Sequence, residues 1–305
     1  MAPLQIIFMG TAELASPALK ALLESSAFKV LAVVTQPDRP KGRELKTRPS
    51  PVKQVAQEAG VPVSQPPRAR DETFIRELKE RGPELIIVAA YGQILPPDIL
   101  ELPRLGCLNV HASLLPKYRG AAPIQWALLK MDAGLDTGPI LAQRITPISL
   151  QDTAATLHDR LALLGAELLL ATIPGYVDGK IFPRPQPTEG ISYARKIKKE
   201  DGHLDWSQPA HVLRNRIRAF TLWPGAFTFQ PGEAQGHLLK IWEAEVLDRS
   251  GGVPGEILEA DKSGLVIACG AQALKILTVQ REGGKRMSAR DFLAGHPLEA
   301  GQRLT

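Results

Sequence analysis

Asn109 and His111 stand two residues apart in the apolar run 107–112, just before a proline-ended loop and the basic stretch KYRG. Along a strand, positions i and i+2 face the same side. An amide and an imidazole are therefore presented together, and both can donate hydrogen bonds to a developing oxyanion. An acyl-transfer site needs a further group, a carboxylate that orients the imidazole or takes a proton. The segment MDAGLDTGPIL offers Asp132 and Asp136, and Asp136 is the better placed, in a tight turn before an apolar run. Without a Gly-x-Ser-x-Gly elbow or an evident cysteine nucleophile, direct attack by a substrate amine is favoured over a covalent enzyme intermediate. Each piece alone is also ordinary: an Asn-x-His pair can satisfy itself in a core, and Asp-Thr-Gly is a common turn.

The elements that must position these groups alternate. Continuous apolar runs at 4–9, 30–34, 61–64, 85–90 and 107–112 are separated by amphipathic or charged segments such as LASPALKALLESS, 51–59 and 73–81. This alternation predicts an α/β fold with a doubly wound, mostly parallel sheet, in which ligands bind beyond the carboxyl ends of the strands. Residues 91–96 and 113–116 fall at such ends, and a long helix is predicted over 153–170. The texture changes after the Pro-rich connector Arg184-Pro185-Gln186-Pro187. A charged stretch, a helix at 210–220 and several short strand-like runs separated by turns predict a small β-barrel or sandwich. The expected division is 1–187, a connector at 188–208, and 209–305.

Composition narrows the classes. The chain has 305 residues, 44% of them hydrophobic, enough for two cores, and a net charge of +5, compatible with an anionic partner. Cys107 and Cys269 are the only cysteines, too few for a disulfide framework or a zinc cluster, which fits a reducing cytoplasm. MAPLQIIFMG lacks a basic leader and reads as a first strand, and no stretch reads as long enough to span a bilayer. Gly10-Thr11-Ala12-Glu13 is not a dinucleotide fingerprint. Arg39, Lys41, Arg43, Lys46, Arg48 and Lys53 cluster between a strand and a helix, with only Asp38 and Glu44 against them. Such a run is either a solvated surface or a phosphate track, which Lys196, Lys198, Lys199, Arg214, Arg216 and Arg218 could extend.

Taken together, NVHASLLPKYRGAAPIQW and MDAGLDTG resemble the active-site signature of the 10-formyltetrahydrofolate-dependent formyltransferases. IIFMGTAELASPALKAL, VVTQPDRPKGRELKTRPSPVKQVA, VVAAYGQILP and LDWSQPAHVLRNRIRAFTLWPGA resemble the methionyl-tRNA branch of that family, over nearly the whole chain. The resemblance implies a Rossmann-like formyltransferase domain followed by an OB-like barrel that helps bind tRNA. It implies Asn109, His111 and Asp136 as the catalytic trio, with Ser113, Leu114, Leu115 and Pro116 as the folate loop and Ile94 and Leu95 as apolar lining of the pterin pocket. The substrates implied are 10-formyltetrahydrofolate and methionyl initiator tRNA, with Arg39, Lys41, Arg43, Lys46 and Arg48 facing the acceptor arm, no metal, no membrane, and a monomeric enzyme.

One stretch departs from the pattern. QWALLKMDAGLDTG is shorter than the resemblance implies, since members of the family carry a Gly/Asp turn and an apolar strand between ALL and MDAG. Either a strand has been lost, or residues are missing from the sequence as written. Two other functions stay open at this point: a formyltransferase for a small amine (a sugar nucleotide or glycinamide ribonucleotide), and a tRNA-binding homologue with impaired catalysis.

Overall fold

The computed structural model describes residues 2–41, 46–113, 115–129, 138–230 and 237–305. In chain order the first elements are β1 (Leu4–Gly10), α1 (Ser16–Glu24), β2 (Phe28–Val34), β3 (Arg39–Lys41), β4 (Lys46–Arg48), α2 (Pro51–Glu58), β5 (Val63–Ser64), α3 (Glu72–Arg81), β6 (Leu85–Ala89), α4 (Pro97–Leu100) and β7 (Cys107–Val110). They are followed by β8 (Arg119–Gly120), α5 (Pro123–Leu129), α6 (Ala154–Val177), β9 (Tyr193–Ala194) and α7 (Ala210–Ala219). The last are β10 (Ala226–Phe229), β11 (Leu238–Leu247), β12 (Ile257–Asp261), β13 (Gly264–Ala268), β14 (Ala273–Arg281), β15 (Met287–Ser288) and α8 (Ala289–Gly295).

The chain folds as two compact units. The first contains the residues up to 114, Gly138–Ile145 and His158–Gln186; the second contains 115–137, Thr146–Leu157 and Pro187–Thr305. In the first unit five parallel strands run in the order β5-β2-β1-β6-β7. The order reverses between β1 and β6, the position at which such sheets open a crevice at their carboxyl ends. Apolar side chains on both faces of β1 explain its continuous hydrophobic run: Ile6 and Phe8 pack with Leu19, Leu22 and Leu85 on one side, Ile7 and Met9 with Phe74 and Ile86 on the other. The carboxyl end of β1 leaves no room for a side chain, since a Cβ on Gly10 would lie 2.9 Å from the Ala89 carbonyl oxygen.

Helix α6 runs seven residues beyond the predicted end, straight through Pro174. By length and composition it could cross a bilayer, contrary to the sequence reading; here its Ala166, Leu169 and Ile173 are buried against the sheet. Close approach to β7 depends on Gly165, where a Cβ would lie 2.9 Å from Val110 Cγ1.

The second unit holds an antiparallel sheet in the order β10-β11-β14-β13-β12, with β15 added to β14. Its core joins Leu239, Ile241, Leu265, Ile267, Leu274 and Ile276 of the strands to Leu213 and Ile217 of α7 and Phe292 of α8. Residues 301–305 bridge the outer strands. Thr305 exchanges backbone hydrogen bonds with Phe229 at the end of β10 (2.8 and 3.1 Å), while Ile257 N donates to Gln302 O and Leu304 N to Gly255 O, both at 2.8 Å. The expected barrel-like C-terminal module is thus closed by a tail rather than by a direct β10–β12 pairing.

Candidate active site at the carboxyl ends of β6 and β7

Strand β6 ends in a tight turn. Ala90 takes φ +44°, a left-handed conformation that is sterically costly for a residue with a Cβ. The turn is pinned from two sides. Thr11 Oγ1 donates to Tyr91 O at 2.9 Å, and Gln93 accepts from Ala69 N at 2.7 Å while donating to Pro67 O at 3.2 Å. Tyr91 is buried in the core, and burial pushes its hydroxyl up to about 12, so it stays protonated. The apolar surface offered to a ligand is instead Ile94, 81% exposed, with Leu95 half-buried beside it.

Next to β6, β7 places Asn109 opposite Val88, with its side chain exposed. Leu108 and Val110 pack into the core beneath, so the alternation sends Asn109 to the other face. The strand ends at Val110, two residues short of the expected boundary, and His111 is the first residue past it. Its Nδ1 lies 2.7 Å from Ser113 Oγ. Ser113, expected in the folate loop, therefore touches the imidazole, a contact that the His-x-Ser spacing could have signalled. Asp136 and Leu114 lie outside the described residues. Leu115 and Pro116, joined by a cis peptide bond, belong to the second unit. A cleft of about 410 Å³ lined by Ser64, Asp71, Phe74 and Glu77 lies at β5, the opposite edge of the sheet.

The described residues on either side of the basic cluster's centre pair as two short antiparallel strands. Arg39 is in register with Arg48, Pro40 with Thr47 and Lys41 with Lys46. The pair leaves the carboxyl end of β2, on the same side of the parallel sheet as Asn109 and His111. Arg39 and Arg48 are exposed; Arg43 lies outside the described residues. Lys53 is different: its Nζ donates to Asp38 Oδ2 at 2.5 Å and to Gln65 Oε1 at 2.6 Å.

Three arginines expected to extend the track are held by carbonyl oxygens within the second unit. Arg214 donates to Leu150 O, Arg216 to Asp201 O and His203 O, and Arg218 to Ser149 O and Asp152 O. Lys196, Lys198 and Lys199 remain exposed. Among the described residues no group of three or more His, Cys, Asp or Glu side chains is arranged to hold a metal.

Two family models cover most of the chain: "Formyl transferase" over residues 4–173 and "Formyl transferase, C-terminal domain" over residues 196–297. The chain belongs to the formyl transferase family. Within it, the methionyl-tRNA formyltransferase of Caldanaerobacter subterraneus subsp. tengcongensis is 49% identical over 314 positions, covering 99% of this chain and 100% of the relative. The methionyl-tRNA formyltransferase of Geobacter metallireducens is 47% identical over 315 positions, covering 100% and 99%. Because this chain has 305 residues, at least ten of those 315 positions have no counterpart in it. The short join after Leu129 is where the sequence resemblance locates such a gap. Two solved structures share the fold. HypX from Aquifex aeolicus in complex with tetrahydrofolic acid has a TM-score of 0.61 at 16% identity, covering 100% of this chain and 51% of that one. The N-formyltransferase from Helicobacter canadensis, in complex with folinic acid and dTDP-3-aminofucose, has a TM-score of 0.60 at 19% identity, covering 90% and 99%.

Proposed function

We propose that this chain transfers the formyl group of 10-formyltetrahydrofolate to the α-amine of methionyl initiator tRNA. The observation that carries this is the end-to-end likeness to methionyl-tRNA formyltransferases, which includes the C-terminal strands as well as the folate-type sheet. A small-amine acceptor is not favoured, because the sugar-modifying structures share only the fold, at identities of 18–20%.

The residues present fit the co-substrate. An exposed Ile94 beside Leu95 suits one face of a pterin, and the exposed Asn109 amide suits a polar reacting group. Leu114, Leu115 and Pro116 are proposed to complete the folate loop. 10-Formyltetrahydrofolate supplies an activated formyl carbon when bound. Asn109 and His111 donate hydrogen bonds to the formyl oxygen as it gains negative charge, a task worth about 3 kcal/mol per donor in comparable sites. When a neutral His111 donates from Nε2, its Nδ1 is an acceptor, and the Ser113 hydroxyl is positioned to donate to it. Asp136 is assigned the relay of the proton lost by the attacking amine to the folate N10, the nitrogen released as its bond to the formyl carbon breaks. Arg39, Lys41, Arg43, Lys46 and Arg48 meet the phosphates of the acceptor arm.

The domain limits 1–187 and 209–305, with a connector between, belong to the same proposal, as do a monomeric state and a cytoplasmic setting. The test is turnover with methionyl-tRNA and formyl donor. It is accompanied by tRNA Kd across a salt series for a variant carrying Lys41→Glu, Arg43→Glu and Lys46→Glu. Turnover on methionyl-tRNA, with a flattened salt slope and unchanged folate affinity in the variant, is the expected result. An unchanged slope together with unchanged turnover would leave the hairpin a solvated surface.

A further inference from the structure

We infer that Asp38, Lys53 and Gln65 form a clamp at the base of the β3–β4 hairpin. Lys53 is then a positioning residue for the RNA-binding hairpin and not one of its phosphate ligands. The role of the clamp rests on the RNA reading above; its existence does not.

The hairpin has a stability problem. Its strands are three residues each, and its register sets Arg39 against Arg48 and Lys41 against Lys46. Like charges directly opposite each other destabilise a strand pair, and a two-stranded hairpin is marginal in water even without them. Something outside the hairpin must hold its two ends together. Asp38 precedes the first arm, and Lys53 lies in the first turn of α2, just after the second. Their ion pair, at 2.5 Å with both side chains about one-fifth exposed, closes the hairpin into a loop.

Gln65 ties that pair to the sheet. Its amide nitrogen donates to Asp38 Oδ1 (2.9 Å), Gln36 O (2.8 Å) and Thr35 Oγ1 (3.3 Å), and its carbonyl oxygen accepts from Lys53. Thr35 is fully buried at the end of β2, and Gln65 directly follows β5. The α2 side is fixed as well, because Ser50 caps the helix by accepting from the Lys53 backbone N–H at 3.1 Å. Lys53 holds the Asp38 carboxyl below the usual carboxylate range, with Gln65 and the Ser50 backbone N–H adding to the effect against its partial burial. The carboxylate at the base of the hairpin is thereby paired within the clamp and does not oppose an anion there.

The two roles of Asp38 predict opposite signs. As a mere acid beside a polyanion site, its loss strengthens RNA binding; as half of a clamp, its loss weakens it. The experiment uses the full chain with Asp38→Asn, Lys53→Gln, both together, and the exchanged pair Asp38→Lys with Lys53→Asp. Tryptic cleavage within residues 39–48 is followed without RNA. Methionyl-tRNA Kd is measured across a salt series, with binding of a folate analogue as the folding control. Asp38→Asn is expected to speed cleavage several-fold and to weaken RNA binding by about tenfold, the size of a lost preorganisation. Its salt slope should stay unchanged, the double variant should be no worse than either single one, and the exchanged pair should recover part of the loss.

Tighter RNA binding by Asp38→Asn with unchanged cleavage would overturn the clamp. So would a slope reduced by about one unit in Lys53→Gln, the mark of a lost phosphate contact. Faster cleavage with unaltered RNA binding would instead overturn the RNA role of the hairpin, and with it the positioning role of Lys53.

Discussion

The imidazole Nδ1 of His111 and the hydroxyl of Ser113 are 2.7 Å apart, a contact closed within three residues of chain. A ring held by so local a partner is oriented before any substrate arrives. Ser113→Ala should lower kcat about tenfold, the scale of one lost hydrogen bond to a catalytic group, and leave folate affinity nearly unchanged. Steady-state formylation kinetics with a folate-analogue titration check this. A folate affinity that falls while kcat holds would return Ser113 to the ligand loop.

Asn109→Ala and His111→Ala should each reduce turnover by two or more orders of magnitude, about 3 kcal/mol. Asn109 is exposed, so its truncation leaves no buried group unpaired and the melting temperature should barely move. Circular dichroism beside the activity assay separates lost chemistry from lost fold. Wild-type turnover in either variant removes that residue from the mechanism.

Acid stability has a named contributor in the second unit. Arg195 donates to both oxygens of Asp201, at 2.8 and 2.6 Å, and Lys198 N donates to one of them at 2.7 Å. The Arg195 hydrogen bond first, then the Lys198 backbone, hold the Asp201 carboxyl below its ordinary range against some desolvation. A depressed carboxyl favours folding above the unfolded value near 4, and that contribution fades as pH falls through the lower, folded value. Asp201→Asn should therefore cost about 1 kcal/mol at pH 7 and less at about pH 2. Urea unfolding at both pH values tests it, and an equal deficit at each would mean that the charge is irrelevant.

Leu304 is 1% exposed, in the tail that joins β10 to the start of β12. Leu304→Ala should cost about 2–4 kcal/mol by leaving a cavity at the barrel's closure. A loss under about 0.5 kcal/mol in chemical denaturation, the range of a surface substitution, would show the closure to be ornamental.

Much of the first unit was legible because buried parallel strands write themselves as unbroken apolar runs. LQIIFM and LIIVA became β1 and β6 nearly to the residue. The Asn109/His111 pair was legible for the opposite reason, as polar residues where a strand should be aliphatic. The hairpin was not legible, since RPK and KTR have no apolar alternation and Thr47 as their one β-branched residue, and a clamp from Asp38, Lys53 and Gln65 holds them. The fate of Arg214, Arg216 and Arg218 was equally hidden. Composition records a charge, but only tertiary structure reveals the carbonyl that occupies it. The tail closure escaped because five residues around a single apolar Leu304 carry no periodicity.

Strand β7 is an end strand of its sheet, hydrogen-bonded among the described strands to β6 alone. Outer strands open first in the local fluctuations of a native protein. The proposed chemistry therefore rests on one of the two outer rungs of the ladder, and activity should fail on warming some degrees before the bulk of the sheet melts. Cys107 is a built-in witness. Burial raises its half-buried thiol to about 12, which slows alkylation at neutral pH, and peeling of β7 should quicken it. Its labelling rate should rise along the same temperature curve as the loss of turnover, well below the calorimetric transition.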